Sequence, residues 1–294
     1  MTIGNFDGVH RGHQRIFSLV VHEARQIGGT PVLVTFRPHP AKVLKPESAP
    51  LMISTREQRY KMFADAGIEI AVVIRFTQEF SRTPAEQFVE QILLPRFNPR
   101  KIIIGIPFRF GHQRAGDVEL LQSLGARLGF HAEGVGEVDI DGQTISSTRI
   151  RRALLAGDIR EGNRMLGAPF ELVGDVVRGA RRGASLDFPT ANLEAENELV
   201  PANGVYVTRL RHGDRLLDSV TNVGTRPTFG TSARGVETHV LDFDGELYGE
   251  RIGLQFLDRL RGEARFPTPE ALVQQIRKDV LQAREILARF PTTL

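Results

Sequence analysis

Cysteine is absent from the 294 residues, which excludes disulfides and thiolate metal centres and suits a reducing compartment. Lysine is scarce, at five positions, so arginine carries the basic balance. No apolar run approaches the roughly 18 residues that a membrane span needs. Residues 1–7 have neither the basic nor the apolar region of an export signal. The expected location is the cytoplasm. There is no internal repeat and no low-complexity segment.

What remains is a length sufficient for about two domains, each with its own core, and 41% apolar with 25% charged residues, the balance of a soluble globular chain. The net charge is +3. A nucleic-acid binder would gather its charge on one face. Here Arg149, Arg151 and Arg152 form one knot and Arg178, Arg181 and Arg182 another, with carboxylates interspersed nearly everywhere else. Small phosphorylated molecules explain the knots better than nucleic acid or a membrane. The oligomeric state is not legible.

The organising stretch is Gly4-Asn-Phe-Asp-Gly-Val-His-Arg-Gly-His13. An apolar start, a glycine turn and a helically spaced segment over residues 14–26 predict strand, turn and helix. His10 and His13, three apart, share one face of the first helical turn, where free N–H groups and the helix dipole favour an anion. Glycines allow close approach to a phosphate, and an imidazole can stabilise charge during transfer. The plainer alternatives are a metal site or two surface histidines.

Over residues 1–168 strands and helices alternate. Residues 31–36, 71–74 and 101–104 read as strands, the last two as buried ones. Ser54-Thr-Arg-Glu57 and Thr83-Pro-Ala-Glu86 read as capping boxes, each announcing a helix. Such alternation indicates a mostly parallel sheet with ligands beyond its carboxyl ends. There His10, His13 and the loop around His39 would meet the loop Gly105-Ile-Pro-Phe-Arg-Phe-Gly111. The segment Ile145-Ser-Ser-Thr-Arg-Ile-Arg151 leads into a helix near Thr148, where an unpaired arginine would welcome an anion.

From residue 169 to 294 short strands separated by glycine, proline and asparagine predict an antiparallel barrel or sandwich, at residues 170–178, 204–210, 216–223, 236–243 and 251–257. A helix over residues 269–289 packs outside it. Gly179-Ala-Arg-Arg-Gly183 is suited to lie over phosphates. In Phe188-Pro-Thr-Ala-Asn192, the Thr190 hydroxyl and Asn192 amide are hard oxygen donors of the kind magnesium accepts. Phosphoryl transfer to an alcohol needs a base, and Glu237, in a predicted strand, can serve. Asn222-Val-Gly-Thr-Arg-Pro-Thr-Phe229 reads as the loop before that strand.

The HxGH form resembles the nucleotidylyltransferase signature, and GNFDGVHRGHQ resembles the first motif of bacterial FAD synthetases. TFRPHP, PFRFG and ISSTRIRRALLAGDI extend the likeness through the first half; PTAN, NVGTRPTF, ETHVLDFDGELYG and LRGEARF resemble riboflavin kinase through the second. The resemblance implies an α/β, Rossmann-like nucleotidylyltransferase domain (1–168) and a β-barrel kinase domain (169–294) with a carboxyl-terminal helix. It implies phosphorylation of riboflavin to FMN, then adenylylation of FMN to FAD, with ATP as co-substrate and Mg²⁺ as cofactor.

Carried over by residue, Asn5, Phe6, Asp7, Gly8, His10, His13, Ser147, Thr148 and Arg151 would serve the adenylylating ATP. Gly179, Gly183, Thr190 and Asn192 would serve the kinase ATP, the last two with Mg²⁺, and Glu237 would be the base. Asn222, Arg261 and Phe110 would contact flavin. The chain departs from the family at Pro107, where Asn or Asp is usual, and at Ala184, Asp187 and Ala168. It also begins almost on its first motif, as a shortened or misplaced start would leave it. Pro107 supplies neither a polar side chain nor an N–H, so weakened adenylylation, leaving a riboflavin kinase alone, is the alternative expectation. A non-catalytic flavin- or RNA-binding regulator is the rival from another class.

Overall fold

The computed structural model describes residues 1–178, 188–225 and 234–290. The chain forms two compact units, Met1–Leu51 with Arg56–Ser147, and Met52–Thr55 with Thr148–Leu294.

In the first unit five parallel strands lie in the order β3-β2-β1-β4-β5, with β1 at Thr2–Ile3, β2 at Val32–Arg37, β3 at Ile70–Arg75, β4 at Lys101–Gly105 and β5 at His131–Val135. Alternate residues feed two cores. Val34, Ile102 and Ile104 join one with Phe88, Leu93 and Leu121; Leu33 and Ile103 join the other with Phe17, Val20 and Phe63. Helix α1 (Arg11–Gln26) covers the second core through Ile16, Phe17, Val20 and Ala24. The order reverses at β1, so the crevice beyond the carboxyl ends of β1 and β4 is the switch point where such sheets bind ligands.

Two expectations change here. Residues 71–74, read as buried, belong to the outermost strand, and β3 buries none of its residues; an apolar run does not reveal its place in the sheet order. The helix announced by Thr83 forms over residues 85–97 but is not α-helical throughout, with α4 (Ala85–Gln87) and α5 (Leu94–Phe97) flanking a π-helical stretch at Phe88–Leu93. Pro95 supplies no N–H to the Gln91 carbonyl, and the Arg96 guanidinium donates there instead, at 3.3 Å. The Ser54 box fares better: α3 begins at Arg56 and runs to Asp65.

Elsewhere in this unit α2 spans Pro40–Leu44, α6 spans Val118–Leu128, and β6 (Asp139–Ile140) pairs with β7 (Gln143–Thr144). Helix α7 (Ser147–Ala156) starts at the boundary, and α8 (Ile159–Leu166), in the second unit, ends at Gly167, whose φ of 80° suits glycine.

In the second unit a closed antiparallel barrel runs β10-β11-β12-β9-β8-β13. Its strands are β8 (Phe170–Val177), β9 (Ala191–Ala195), β10 (Gly204–His212), β11 (Arg215–Thr225), β12 (Arg234–Val240) and β13 (Arg251–Arg261). Closure removes the unpaired edges. Four wholly buried hydroxyls satisfy one another: Thr208 lies 2.7 Å from both Ser219 and Thr221, and Thr221 donates to Thr238 at 2.9 Å. Helix α9 (Pro269–Leu287), capped by Thr268, packs Ala283, Ile286 and Leu287 on Val205, Val207 and Val220. Strand β9 was not expected from sequence, and β11 runs to Thr225, so the strand expected over 216–223 extends two residues further into the segment read as a loop from Asn222.

Candidate active sites

The first site grows from the turn between β1 and α1. Phe6, Gly8 and Val9 have φ of 47°, 77° and 39°, so two residues with side chains are held in the left-handed region that favours glycine. The turn delivers His10 as the residue before α1 and His13 within its first turn. Their rings stack at 3.6 Å, inclined 22°, and Phe6 meets His13 edge-on at 5.1 Å. A methyl group at Gly12 would stand 3.1 Å from Cε1 of His10, so the ring would have to shift by a few tenths of an ångström to admit it. The first turn of α1 carries no acidic residue and no side-chain cap, which leaves the positive end of its dipole facing the turn. Asp7 is buried, and its carbonyl accepts from Oγ of Ser147 at 3.1 Å. Thr148 and Arg151 follow on α7.

Arg149 of the same helix is ion-paired with Glu161, so the expected unpaired arginine is satisfied within the protein there.

Beside the turn lies a cavity of about 610 Å³ walled by Phe36, Phe76, Phe80, Phe88, Phe108 and Phe110. Phe108 and Phe110 stack 6.1 Å apart, inclined 15°. Polar atoms enter from His39, Ser81, Thr83, Gln113 and Arg114. An aromatic cleft edged by polar and basic side chains suits a flat heteroaromatic ligand. Asn5 lines the same cavity, and its Oδ1 is buried without a hydrogen-bond partner among the described residues. Pro107 is exposed and does not line the cavity. Sequence reasoning assigned Phe110 alone from this wall to flavin; Phe108 shares its loop, and Phe36, Phe76, Phe80 and Phe88 come from other segments.

One further residue escaped notice. Arg59, on α3, donates from Nη2 to the Asn5 carbonyl at 2.7 Å and to Oγ1 of Thr35 at 3.1 Å. Burial pulls its pKa below the usual arginine value, and the negative charge of Asp7 opposes that shift.

The second site is a row across adjacent strands. Asn192 on β9 lies opposite Glu237 on β12, Glu237 opposite Asn222 on β11, Asn222 opposite Val205 on β10, and Val205 opposite Arg261 on β13. Directly opposite residues share a face, so Asn192, Glu237 and Asn222 form a continuous polar strip. Glu237 is half-buried between Val236 and Thr238, both fully buried on the other face. His239, two residues on, bonds the Pro189 carbonyl at 2.9 Å, and its ring meets Phe188 edge-on at 5.4 Å. That ties the Thr190–Asn192 stretch to the strand of Glu237.

Thr190 and Asn192 line a cavity of about 430 Å³ that also takes in Phe243, and Arg178, whose guanidinium lies 4.8 Å over the Tyr248 ring. Among the described residues no cluster of three or more His, Cys, Asp or Glu could hold a metal ion. Two neutral oxygens fit a cation that brings its own anionic ligands. Arg261 pairs with Asp279 of α9 at 2.8 Å and lies 5.5 Å over the Phe266 ring. Gly179 and Gly183 lie outside the described residues, as do Arg181, Arg182, Ala184, Asp187 and the end of the Asn222 segment.

The family model for FAD synthetase matches residues 1–149, and that for riboflavin kinase matches residues 166–287. A bifunctional riboflavin kinase/FMN adenylyltransferase from Pseudomonas fluorescens is 37% identical, over 98% of this chain and 92% of its own. The protein of that name from Escherichia coli K12 is 34% identical, over 97% and 91%. A crystal structure from Streptococcus pneumoniae, described as a macrolide-efflux protein, has a TM-score of 0.89 at 30% identity, covering 96% of this chain and 93% of that one. Among the described residues no helix is long and apolar enough to cross a membrane.

Proposed function

The chain belongs to the bifunctional riboflavin kinase/FMN adenylyltransferase family, and we propose that its two activities divide between residues 1–168 and residues 169–294. The enzyme phosphorylates riboflavin with ATP to give FMN, then adenylylates FMN to FAD with release of pyrophosphate. Matches to both family models favour this over the kinase-only alternative.

In the second half, the ribityl 5′-hydroxyl oxygen attacks the γ-phosphorus of ATP, the bond to the bridging oxygen breaks, ADP leaves, and Glu237 takes the hydroxyl proton. Thr190 and Asn192 would hold a Mg²⁺ ion together with the ATP phosphates, which would supply the charge this neutral pair lacks. The ion neutralises phosphate charge when bound. Asn222, beside Glu237, orients the ribityl chain, and Gly179 and Gly183 cover the nucleotide.

In the first half, an FMN phosphate oxygen attacks the α-phosphorus of ATP and pyrophosphate departs. The nucleophile is already an anion near neutral pH, with a second phosphate pKa of about 6, so no base is required. His10 and His13 stabilise the transferring phosphoryl oxygens together with the start of α1. Asn5, Phe6, Asp7, Gly8, Ser147, Thr148 and Arg151 hold the nucleotide, and Phe110 with its aromatic neighbours holds the isoalloxazine. Cytoplasmic location belongs to the same reading, as do small molecules rather than nucleic acid as partners.

One observation supports this first-half reading most: Asn5 both lines the aromatic cavity and opens the turn to His10. The test is a chromatographic time course of riboflavin with ATP and Mg²⁺. FMN that rises and then yields to FAD is expected; a reaction that stops at FMN contradicts the adenylylation half.

A further inference from the structure

The Arg59 guanidinium is not accounted for by the transfer chemistry above. It sits on α3, a helix whose other arginine, Arg56, pairs with its neighbour Glu57 at the surface. Arg59 instead turns inward and spends one nitrogen on two acceptors, the Asn5 carbonyl at 2.7 Å and the Thr35 hydroxyl at 3.1 Å. The Thr35 hydroxyl approaches the same carbonyl at 3.3 Å, so Asn5 is held from two sides. Nε of Arg59 is buried without a hydrogen-bond partner among the described residues. Withdrawing a guanidinium from water this far is costly unless something depends on it.

The object held is the strained turn. Phe6 and Val9 adopt φ of 47° and 39°, conformations that persist only where the surroundings over-determine them. Asn5 immediately precedes them and lines the aromatic cavity. A shift of its carbonyl moves the wall of the flavin cavity and the approach to the stacked imidazoles together.

We propose that Arg59 is a positioning residue for adenylyl transfer, fixing the carbonyl of Asn5 so that the flavin cavity and the His10/His13 pair keep the register in which the FMN phosphate meets the nucleotide. Thr35 is the second point of that clamp. Arg59 touches neither reactant; it acts through Asn5. The inference rests on assigning adenylyl transfer to the first half.

The test compares Arg59→Met, Arg59→Lys and Thr35→Val in the full chain, measuring FMN formation, FAD formation from supplied FMN, and FMN affinity by flavin fluorescence. Arg59→Met is expected to lower kcat for FAD formation about 100-fold, the scale of a misplacement near 1 Å, with FMN affinity and FMN formation little changed. Arg59→Lys should recover roughly tenfold of that loss, since an ammonium can reach an acceptor without the planar fork. Thr35→Val should cost roughly three- to tenfold, the scale of one lost hydrogen bond. If kcat for Arg59→Met stays within about twofold of wild type while the melting temperature falls, Arg59 merely pins α3 and the proposal is overturned. If Arg59→Met does not fold, Thr35→Val at the wild-type rate overturns it equally. FAD formation surviving loss of both His10 and His13 would overturn the underlying assignment instead.

Discussion

The two halves handle the same nucleotide with opposite architectures. In the first, the proposed catalytic groups stand on a tight turn with two side-chain-bearing residues in the left-handed region, at the reversal point of a parallel sheet. In the second, the proposed base and its neighbours stand in register on adjacent strands of a closed antiparallel barrel, with no such strain at Asn192, Glu237 or Asn222. The nucleophiles explain the difference. An alcohol must lose a proton as it attacks, so the kinase needs a carboxylate at a defined place, and strand register within the barrel supplies that place without backbone strain. A phosphate monoester is already anionic, so the adenylyltransferase needs donors and dipoles converging on developing charge, and a turn feeding a helix amino terminus supplies those.

The contrast breaks most sharply at the base. Glu237→Gln should cut FMN formation about 1000-fold, within the range for losing a general base, and leave FAD formation from supplied FMN unchanged; parallel initial rates check this. Replacing His10 and His13 with alanine should lower FAD formation roughly 100- to 1000-fold, the scale of lost transition-state donors, with FMN formation intact. Loss of both activities in a folded protein would end the division of labour. Gly12→Ala should act more mildly, about tenfold on kcat for FAD, because the added methyl displaces the His10 ring without removing it.

Some of this was legible in sequence and some was not, for physical reasons. The strand-turn-helix at the start, the Ser54 box and the helix at Pro269 are local signals, carried by glycine placement, capping residues and helical spacing. The strip from Asn192 to Asn222 depends on register between distant strands. Strand β9 hid because it is short and Asn192 is a poor strand former, held there by pairing with β12 on one side and β8 on the other. The phenylalanine wall draws on Phe36, Phe76, Phe80 and Phe88, which share no periodicity. Arg59, next to Glu57 and Lys61, looks like any solvated helix charge until its target is visible.

Stability sharpens the comparison further. Asp279→Asn weakens the buried pairing of Arg261 with α9; breaking such a pair costs about 3–5 kcal/mol. Calorimetry should show the barrel transition falling while the first unit melts as before. The smallest effect is expected at Asp242, whose carboxyl Arg284 holds below its usual pKa by a hydrogen bond. A depressed folded pKa contributes stability above the unfolded value of about 4, lost as pH falls through the folded one. Arg284→Gln should therefore lower the melting temperature slightly at neutral pH, and the difference should vanish in acid.

The central claim is that one chain carries two separable sites joined by free FMN, and mixing tests it most directly. Glu237→Gln should make no FAD from riboflavin, and neither should the His10/His13 double variant. Combined in one vessel with ATP and Mg²⁺, they should make FAD after a lag in which FMN accumulates. A mixture in which the FMN formed stays bound to the His10/His13 variant and yields no FAD, although the Glu237→Gln protein adenylylates free FMN added from outside, would contradict the account.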